Sequence, residues 1–286
     1  MIDHRTATFS SGDVEISYRL FGKPGDTPIV IVHGLSYFSY DWIPMAAVLA
    51  ADRQVAAMDM RGFGDSGWAQ DYSVPAFAGD IIGLLDHLGW ARAILVGHSM
   101  GGRNCTYCAA EYPDRITGLV LVDWSPENAA AGAKRVTETV ASTPDSFASV
   151  EEAMRFFKVD PASPQGVQQR PRFEAYLKPV GGGYAIKRDP HFRNQFRRVL
   201  ETGEKPKLGV DMWAALGKVA CPVLVMRGAR SDMFAAETAE KVRAANPRIQ
   251  IIEMDTGHDV AGTDPAAFER EALAFFHRQR SEVQHA

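Results

Sequence analysis

An α/β fold, a mostly parallel sheet flanked by helices and interrupted once by a largely helical insertion, is what this sequence predicts, and three observations carry that expectation. Short apolar runs recur at 29–32 (Ile-Val-Ile-Val), 55–58, 94–96, 118–122, 223–226 and 249–252. Strands apolar on both faces belong in the middle of a parallel sheet covered by helices. Between these runs, apolar residues return with helical spacing over 42–49, 74–88, 103–111, 236–245 and 265–277, so strand and helix patterns alternate. Finally, almost a hundred residues separate the run ending near Asp123 from the one starting at Val223, and none of them reads as a core strand.

The elements follow in order. Residues 6–9 and 14–20 alternate in polarity around Ser11-Gly12-Asp13, which reads as a hairpin. Thr263-Asp264-Pro265 pairs an N-cap acceptor with a proline at the first helical position and fixes the start of the last helix. In the insertion, Ser125-Pro126-Glu127 is expected to open a helix, and Ser149-Val150-Glu151-Glu152 fits a capping box. Amphipathic stretches continue over 153–158, 172–177 and 192–200, while Gly181-Gly182-Gly183 reads as a loop. The economical division is a core of 1–124 and 216–286 with a mostly helical cap over 125–215.

Composition narrows the partners. The chain has 286 residues, 46% of them hydrophobic, enough for one large domain with an insertion. Its net charge of −4, from 31 basic and 35 acidic residues without like-charge blocks, points away from nucleic acid and anionic membranes and toward a small-molecule substrate handled by a monomer or homodimer. The N-terminal residues lack a secretory pattern and no apolar run approaches the ~20 residues needed to cross a bilayer, so a cytoplasmic location is expected. Cys105, Cys108 and Cys221 form no paired framework and read as packed thiols. No metal-ligand spacing stands out, and chemistry without a metal or cofactor is expected.

The chemistry concentrates at Gly97-His98-Ser99-Met100-Gly101-Gly102, set between an apolar run and a helical one. Glycines two before and two after Ser99 allow a turn tight enough to project its hydroxyl. A serine hydroxyl at neutral pH needs a base in hydrogen-bond reach, itself oriented by a carboxylate. His258, on a glycine-marked loop after the last strand, is the candidate base, and Asp232 lies just past the preceding strand. The chain order is Ser99, Asp232, His258.

That order, the serine turn and Ile31-Val32-His33-Gly34 at the end of an early strand resemble the α/β-hydrolase superfamily over essentially the whole chain, in particular its capped members with a serine nucleophile, esterase or carbon-carbon hydrolase-like. The resemblance implies an eight-stranded, mostly parallel sheet with the cap inserted after the sixth strand. It implies an oxyanion hole formed by the backbone amides of Leu35 and Met100. It puts the acid at Asp232, with Asp123 the alternative, since a few family members draw their acid from the end of that earlier strand. Otherwise Asp123 reads as favourable charge near the first cap helix. His33 and His98 read as structural neighbours of the site, and the turn from Asp59 to Ser66 as scaffold.

A substrate lying between core and cap would meet Tyr37, Phe38 and Trp124, with Tyr40, Trp42 and Met100 close by, which suggests a small apolar or aromatic molecule. Arg188 and Arg193 have two readings, a solvated cap charge or a partner for a carboxylate. The function that fits is hydrolysis of a carboxylic ester or lactone through an acyl-enzyme. One alternative is a carbon-carbon hydrolase of ring-cleavage products, although that group commonly has an aromatic residue after the histidine where Asp259 stands here. Another is a cofactor-free perhydrolase or haloperoxidase. A third, of a different class, is a slow-turnover ligand receptor.

Overall fold

The computed structural model describes residues 2–284. An antiparallel hairpin, β1 (Arg5–Ser11) and β2 (Val14–Phe21), leads into β3 (Asp26–Val32), a 3-10 turn at Ser39–Trp42, α1 (Ile43–Leu49), β4 (Arg53–Met58), α2 (Val74–Leu88), β5 (Ala93–His98), α3 (Met100–Glu111) and β6 (Ile116–Val122). The insertion contains α4 (Ala130–Ala141), α5 (Val150–Phe156), α6 (Pro164–Tyr176), β7 (Leu177–Val180), β8 (Gly183–Ile186), α7 (Pro190–Thr202) and α8 (Met212–Lys218). The chain then returns through β9 (Val223–Gly228), α9 (Ala236–Ala245), β10 (Ile249–Met254), α10 (Val260–Thr263) and α11 (Pro265–Gln284).

Eight strands form one sheet in the order β1-β2-β4-β3-β5-β6-β9-β10. Only the hairpin end of this sheet is antiparallel, and β4, β3, β5, β6, β9 and β10 run parallel to one another, as largely apolar strands in a sheet covered on both faces do. One apolar layer, including Leu95, Leu119 and Val225, packs under α2, α3 and α8. The opposite layer, including Val96, Val120 and Met226, packs under α1 and α11. Removing apolar surface from water at about 25 cal/mol per Å² makes these two layers the main stabilising term. Cys105, Cys108 and Cys221 are packed as free thiols, and burial pushes all three above the ordinary thiol range.

Strand register sets the position of the site. Val32 pairs with Gly97 and Gly97 with Leu121, His98 pairs with Val122 and Val122 with Met226, and Gly228 pairs with Met254. The carboxyl ends of five parallel strands are thus side by side, and ligands in open α/β sheets bind at that edge.

The insertion differs from the sequence reading in three places. The first cap helix starts at Ala130 rather than near Ser125, because the Ser125 hydroxyl closes a turn on the Glu127 carbonyl (2.8 Å). The backbone there is also tied to the loop after β9, through Ala129 N–H to Met233 O and Gly132 N–H to Asp232 O. Gly181 and Gly182 are the turn of a hairpin, β7 with β8, and Gly183 opens β8, so the cap is not helical alone. Finally, α8 sends Met212, Ala215 and Leu216 into the main core, so residue 215 falls inside an element of that core. The predicted caps are present where expected: Asp264 accepts from Ala267 N–H, and Ser149 from Glu152 N–H. Among the described residues, no helix is long and apolar enough to cross a membrane.

Candidate active site

Ser99 occupies the one-residue turn between β5 and α3 with φ 53° and ψ −118°. A non-glycine residue in such a conformation costs of order 1–3 kcal/mol, and the surroundings must hold it there. They do so through Ser99 N–H to Val122 O (3.1 Å) and Arg103 N–H to Ser99 O (3.2 Å). The flanking glycines are required by close approach: a Cβ on Gly97 would lie 2.7 Å from Gly101 O, one on Gly101 2.1 Å from Val32 O, and one on Gly102 2.7 Å from the Trp124 Cβ. The first turn of α3 therefore sits directly on β3 and β5, leaving Ser99 half-buried at the tip of the turn.

His258, on the loop after β10, reaches back over the sheet edge. Its Nε2 is 3.0 Å from Ser99 Oγ, and its Nδ1 is 2.6 Å from Asp123 Oδ2. The carboxylate can only accept, so Nδ1 carries the proton and Nε2 presents its lone pair to the serine hydroxyl. Asp123 lies one residue past β6 with φ 47° and a fully buried side chain. Its Oδ1 accepts from Gly228 N–H (2.8 Å), and its Oδ2 accepts from the Ser231 hydroxyl as well as from His258.

The expected acid is elsewhere. Asp232 forms a forked ion pair with Arg135 of α4, at 2.5 and 2.8 Å, and its side chain is 36% exposed. The Arg135 hydrogen bonds hold its carboxyl below the usual range. In the loop after β9 it is Ser231 that turns inward, its Oγ also accepting from Met233 and Phe234 N–H, and this rotation carries Asp232 outward to the cap. Asp123 thus takes the place that family position gave to Asp232.

Two buried histidines frame the serine. His33 accepts Met60 N–H at Nε2 (3.0 Å), so its Nδ1–H donates to Gly34 O (2.7 Å). His98 donates Nε2–H to the His258 carbonyl (3.1 Å), and its ring lies 4.8 Å from the His258 ring. Burial lowers their pKa values to about 4 and about 3, so both are neutral supports at neutral pH. A Cβ on Gly34 would come within 3.2 Å of the Ser99 Cβ, which brings the loop carrying Leu35 against the serine. The N–H of Met100 is the first of α3 and has no carbonyl of its own helix to bond.

The proposed pocket residues separate. Tyr37 is half-buried, its ring set perpendicular to that of His98 with the ring centres 4.8 Å apart, at the site. Phe38 is not a pocket wall: it is fully buried in the cap's own core, 5.6 Å from the Tyr40 ring and 5.2 Å from that of Tyr176. Trp124, 7% exposed, lies against Gly102 and joins the main core, so it too offers little surface. Sequence reading missed Arg172 of α6, whose guanidinium binds Asp41 at 2.6 and 3.1 Å and Ser36 O at 3.2 Å amid the rings of Tyr37, Phe38, Phe173 and Tyr176. Burial raises the Asp41 carboxyl, and Arg172 draws it back. This pair fastens the cap to the Leu35–Tyr37 loop, and nothing local in the sequence links residues 131 positions apart.

Residues 27–265 match the family model described as alpha/beta hydrolase fold. The 3-hydroxybutyrate-oligomer hydrolase of Cupriavidus necator is 29% identical over 266 residues, covering 88% of this chain and 89% of that protein. The 2-(acetamidomethylene)succinate hydrolase of Mesorhizobium japonicum is 27% identical over 232 residues, 80% of this chain and 81% of that one. The crystal structure of E-2-(acetamidomethylene)succinate hydrolase shares the fold with a TM-score of 0.83 at 24% identity, over 96% of this chain and all of that one.

Proposed function

The chain belongs to the α/β-hydrolase family, and we propose that it is a serine hydrolase that cleaves a carboxylic ester or lactone through an acyl-enzyme, with Ser99 as nucleophile, His258 as general base and Asp123 as the orienting acid. The observation that carries the reading is His258 bridging Ser99 Oγ and Asp123 Oδ2 at 3.0 and 2.6 Å. In this scheme Ser99 Oγ attacks the substrate carbonyl as His258 Nε2 takes its proton. The tetrahedral oxyanion accepts from the amides of Leu35 and Met100, each donor contributing about 3 kcal/mol to such a transition state. Collapse expels the alkoxide, which receives the proton from His258. A water, deprotonated by the same nitrogen, then attacks the acyl-Ser99 ester and returns the serine.

Asp123 stabilises the imidazolium formed in each half-reaction, and its two other donors, Gly228 N–H and the Ser231 hydroxyl, hold the carboxylate in place against His258. The ester reading gains support from the Cupriavidus necator relative, since oligomers of a hydroxy acid are joined by ester bonds. Tyr37 beside His98 supports an aromatic or apolar acyl group.

The test is steady-state hydrolysis of p-nitrophenyl butyrate together with labelling by a fluorophosphonate. Continuous turnover, and labelling abolished in Ser99→Ala, are expected. Labelling that persists in Ser99→Ala removes the serine from its role. One equivalent of p-nitrophenol followed by silence makes the protein a receptor, and cleavage of a ring-cleavage dienoate in preference to esters makes it a carbon-carbon hydrolase.

A further inference from the structure

Arg172, Arg188 and Arg193 are three arginines of the cap, and they are not alike. Arg172 has its carboxylate in Asp41, and Arg193 has Asp145. Arg188, 6% exposed, has no carboxylate within ion-pairing distance among the described residues. Its one side-chain hydrogen bond runs from Nη2 to Thr143 Oγ1 at 3.3 Å, the long end of the range. A guanidinium carries five donors, and burying its charge without a counter-ion is unfavourable.

Among the described residues, the interior beside Arg188 supplies no hidden counter-ion. Tyr176, the side chain with the largest favourable electrostatic effect on it, is a phenol whose hydroxyl has no hydrogen-bond partner. Burial raises the Tyr176 pKa, so it stays neutral at neutral pH. Nearby acids are engaged elsewhere: Asp145 with Arg193, and Asp189 with the Tyr72 hydroxyl (2.5 Å) and His191 N–H (2.8 Å).

Arg188 is also reachable from outside. It lines a cleft of about 360 Å³ with Thr143 and Arg193, between the β7-β8 hairpin and the start of α7. Val180, Ile186 and Pro190 supply apolar walls, and at the rim the Lys178 ammonium lies 4.5 Å from the ring of Trp68. Asp145 and Asp189 also line the cleft but are engaged by Arg193 and by Tyr72 and His191, so an unpaired guanidinium beside apolar walls is what the cleft offers a ligand.

We propose that this cleft is a binding site for a small carboxylate with a short apolar or aromatic body, its carboxylate received by Arg188. The carboxylate belongs either to a substrate of Ser99 or to a separate acid that binds alongside catalysis; the recognition chemistry is the same. Arginine meets a carboxylate through two parallel N–H donors, which a lysine cannot reproduce.

Calorimetric titration of the whole protein with phenylacetate at low ionic strength and pH 7 tests this without any reliance on turnover. Saturable one-site binding is expected, absent with phenylacetamide, which has the same shape without the charge. Arg188→Gln is expected to weaken binding by about tenfold or more, and Arg188→Lys by a smaller factor. No saturable binding, equal binding of the amide, or unchanged affinity in folded Arg188→Gln overturns the site. If Arg188→Gln fails to fold, Arg188→Lys decides, and an unchanged affinity there overturns it. Phenylacetate is then added to p-nitrophenyl butyrate hydrolysis: competitive inhibition assigns the carboxylate to the substrate, and any other pattern assigns it to a separate acid.

Discussion

Asp123 and Asp232 follow neighbouring parallel strands, β6 and β9, at the same edge of the sheet, yet their surroundings are opposite. Asp123 is fully buried and accepts from three donors, one of them His258. Asp232 is partly exposed and committed to an arginine of the cap. A loop position at the carboxyl edge is therefore not enough to make a carboxylate the partner of a histidine. What decides is which side chain the loop turns inward, and after β9 that is Ser231.

The largest effect expected is that of Ser99→Ala, which sets the floor for the comparison: kcat/KM for an activated ester falls by about 10⁵- to 10⁶-fold, with unfolding unchanged by circular dichroism. Asp123→Asn comes next. It preserves shape but presents an amide to His258 Nδ1, favouring the wrong tautomer, and a loss of about 10⁴-fold in kcat is expected. A loss under tenfold, with a large loss in Asp232→Asn instead, moves the acid to Asp232 and dissolves the contrast.

Much of this was legible in the sequence, for physical reasons that also explain the gaps. Apolar runs such as Ile29-Val30-Ile31-Val32 have no other stable place than a sheet covered on both sides, and all of them are strands. Ser99 sits in a turn whose glycines are dictated by close backbone contacts, so local sequence marks it, and His258 is marked by its place on the loop just after the last strand. The carboxylate was not legible in that way. Choosing between Asp123 and Asp232 depends on the rotation of the loop after β9, which turns Ser231 inward and pairs Asp232 with Arg135, 97 residues earlier in the chain. Phe38 was misread for a similar reason, since only the folded cap supplies Tyr176 and Phe147 to cover it. The β7-β8 hairpin was hidden because its four-residue strands carry Lys178, Pro179 and Gly183 rather than an apolar run.

The inner side of the comparison has its own pH signature. His33 and His98 are neutral in the fold, with pKa values lowered from 6.5 to about 4 and about 3 chiefly by burial. Below pH 6.5 the unfolded chain binds protons that the folded one refuses, so stability falls as pH drops from 6.5 toward 4. Each histidine contributes about 1.4 kcal/mol per pH unit in that window. Urea midpoints at pH 7 and pH 5 measure the slope, and His33→Gln, which cannot be protonated, is expected to remove about half of it. A slope unchanged in His33→Gln means that its burial is not what couples the fold to acid.

The outer side should respond least. The Arg135–Asp232 pair has side chains 51% and 36% exposed, and an ion pair so open to water is worth about 0.5 kcal/mol after screening. Because Arg135 lowers the Asp232 pKa, that contribution is present above the ordinary carboxylate range and is lost as pH falls through the lowered value. At pH 7, Asp232→Asn should therefore change kcat by less than about threefold and the unfolding free energy by about 0.5 kcal/mol, with most of the latter gone in 1 M salt. Salt is the sharper half of this measurement. A carboxylate that oriented His258 from a buried position would keep its effect at high ionic strength, so a salt-resistant loss of activity in Asp232→Asn would show that the cap holds Asp232 within functional reach of His258 after all.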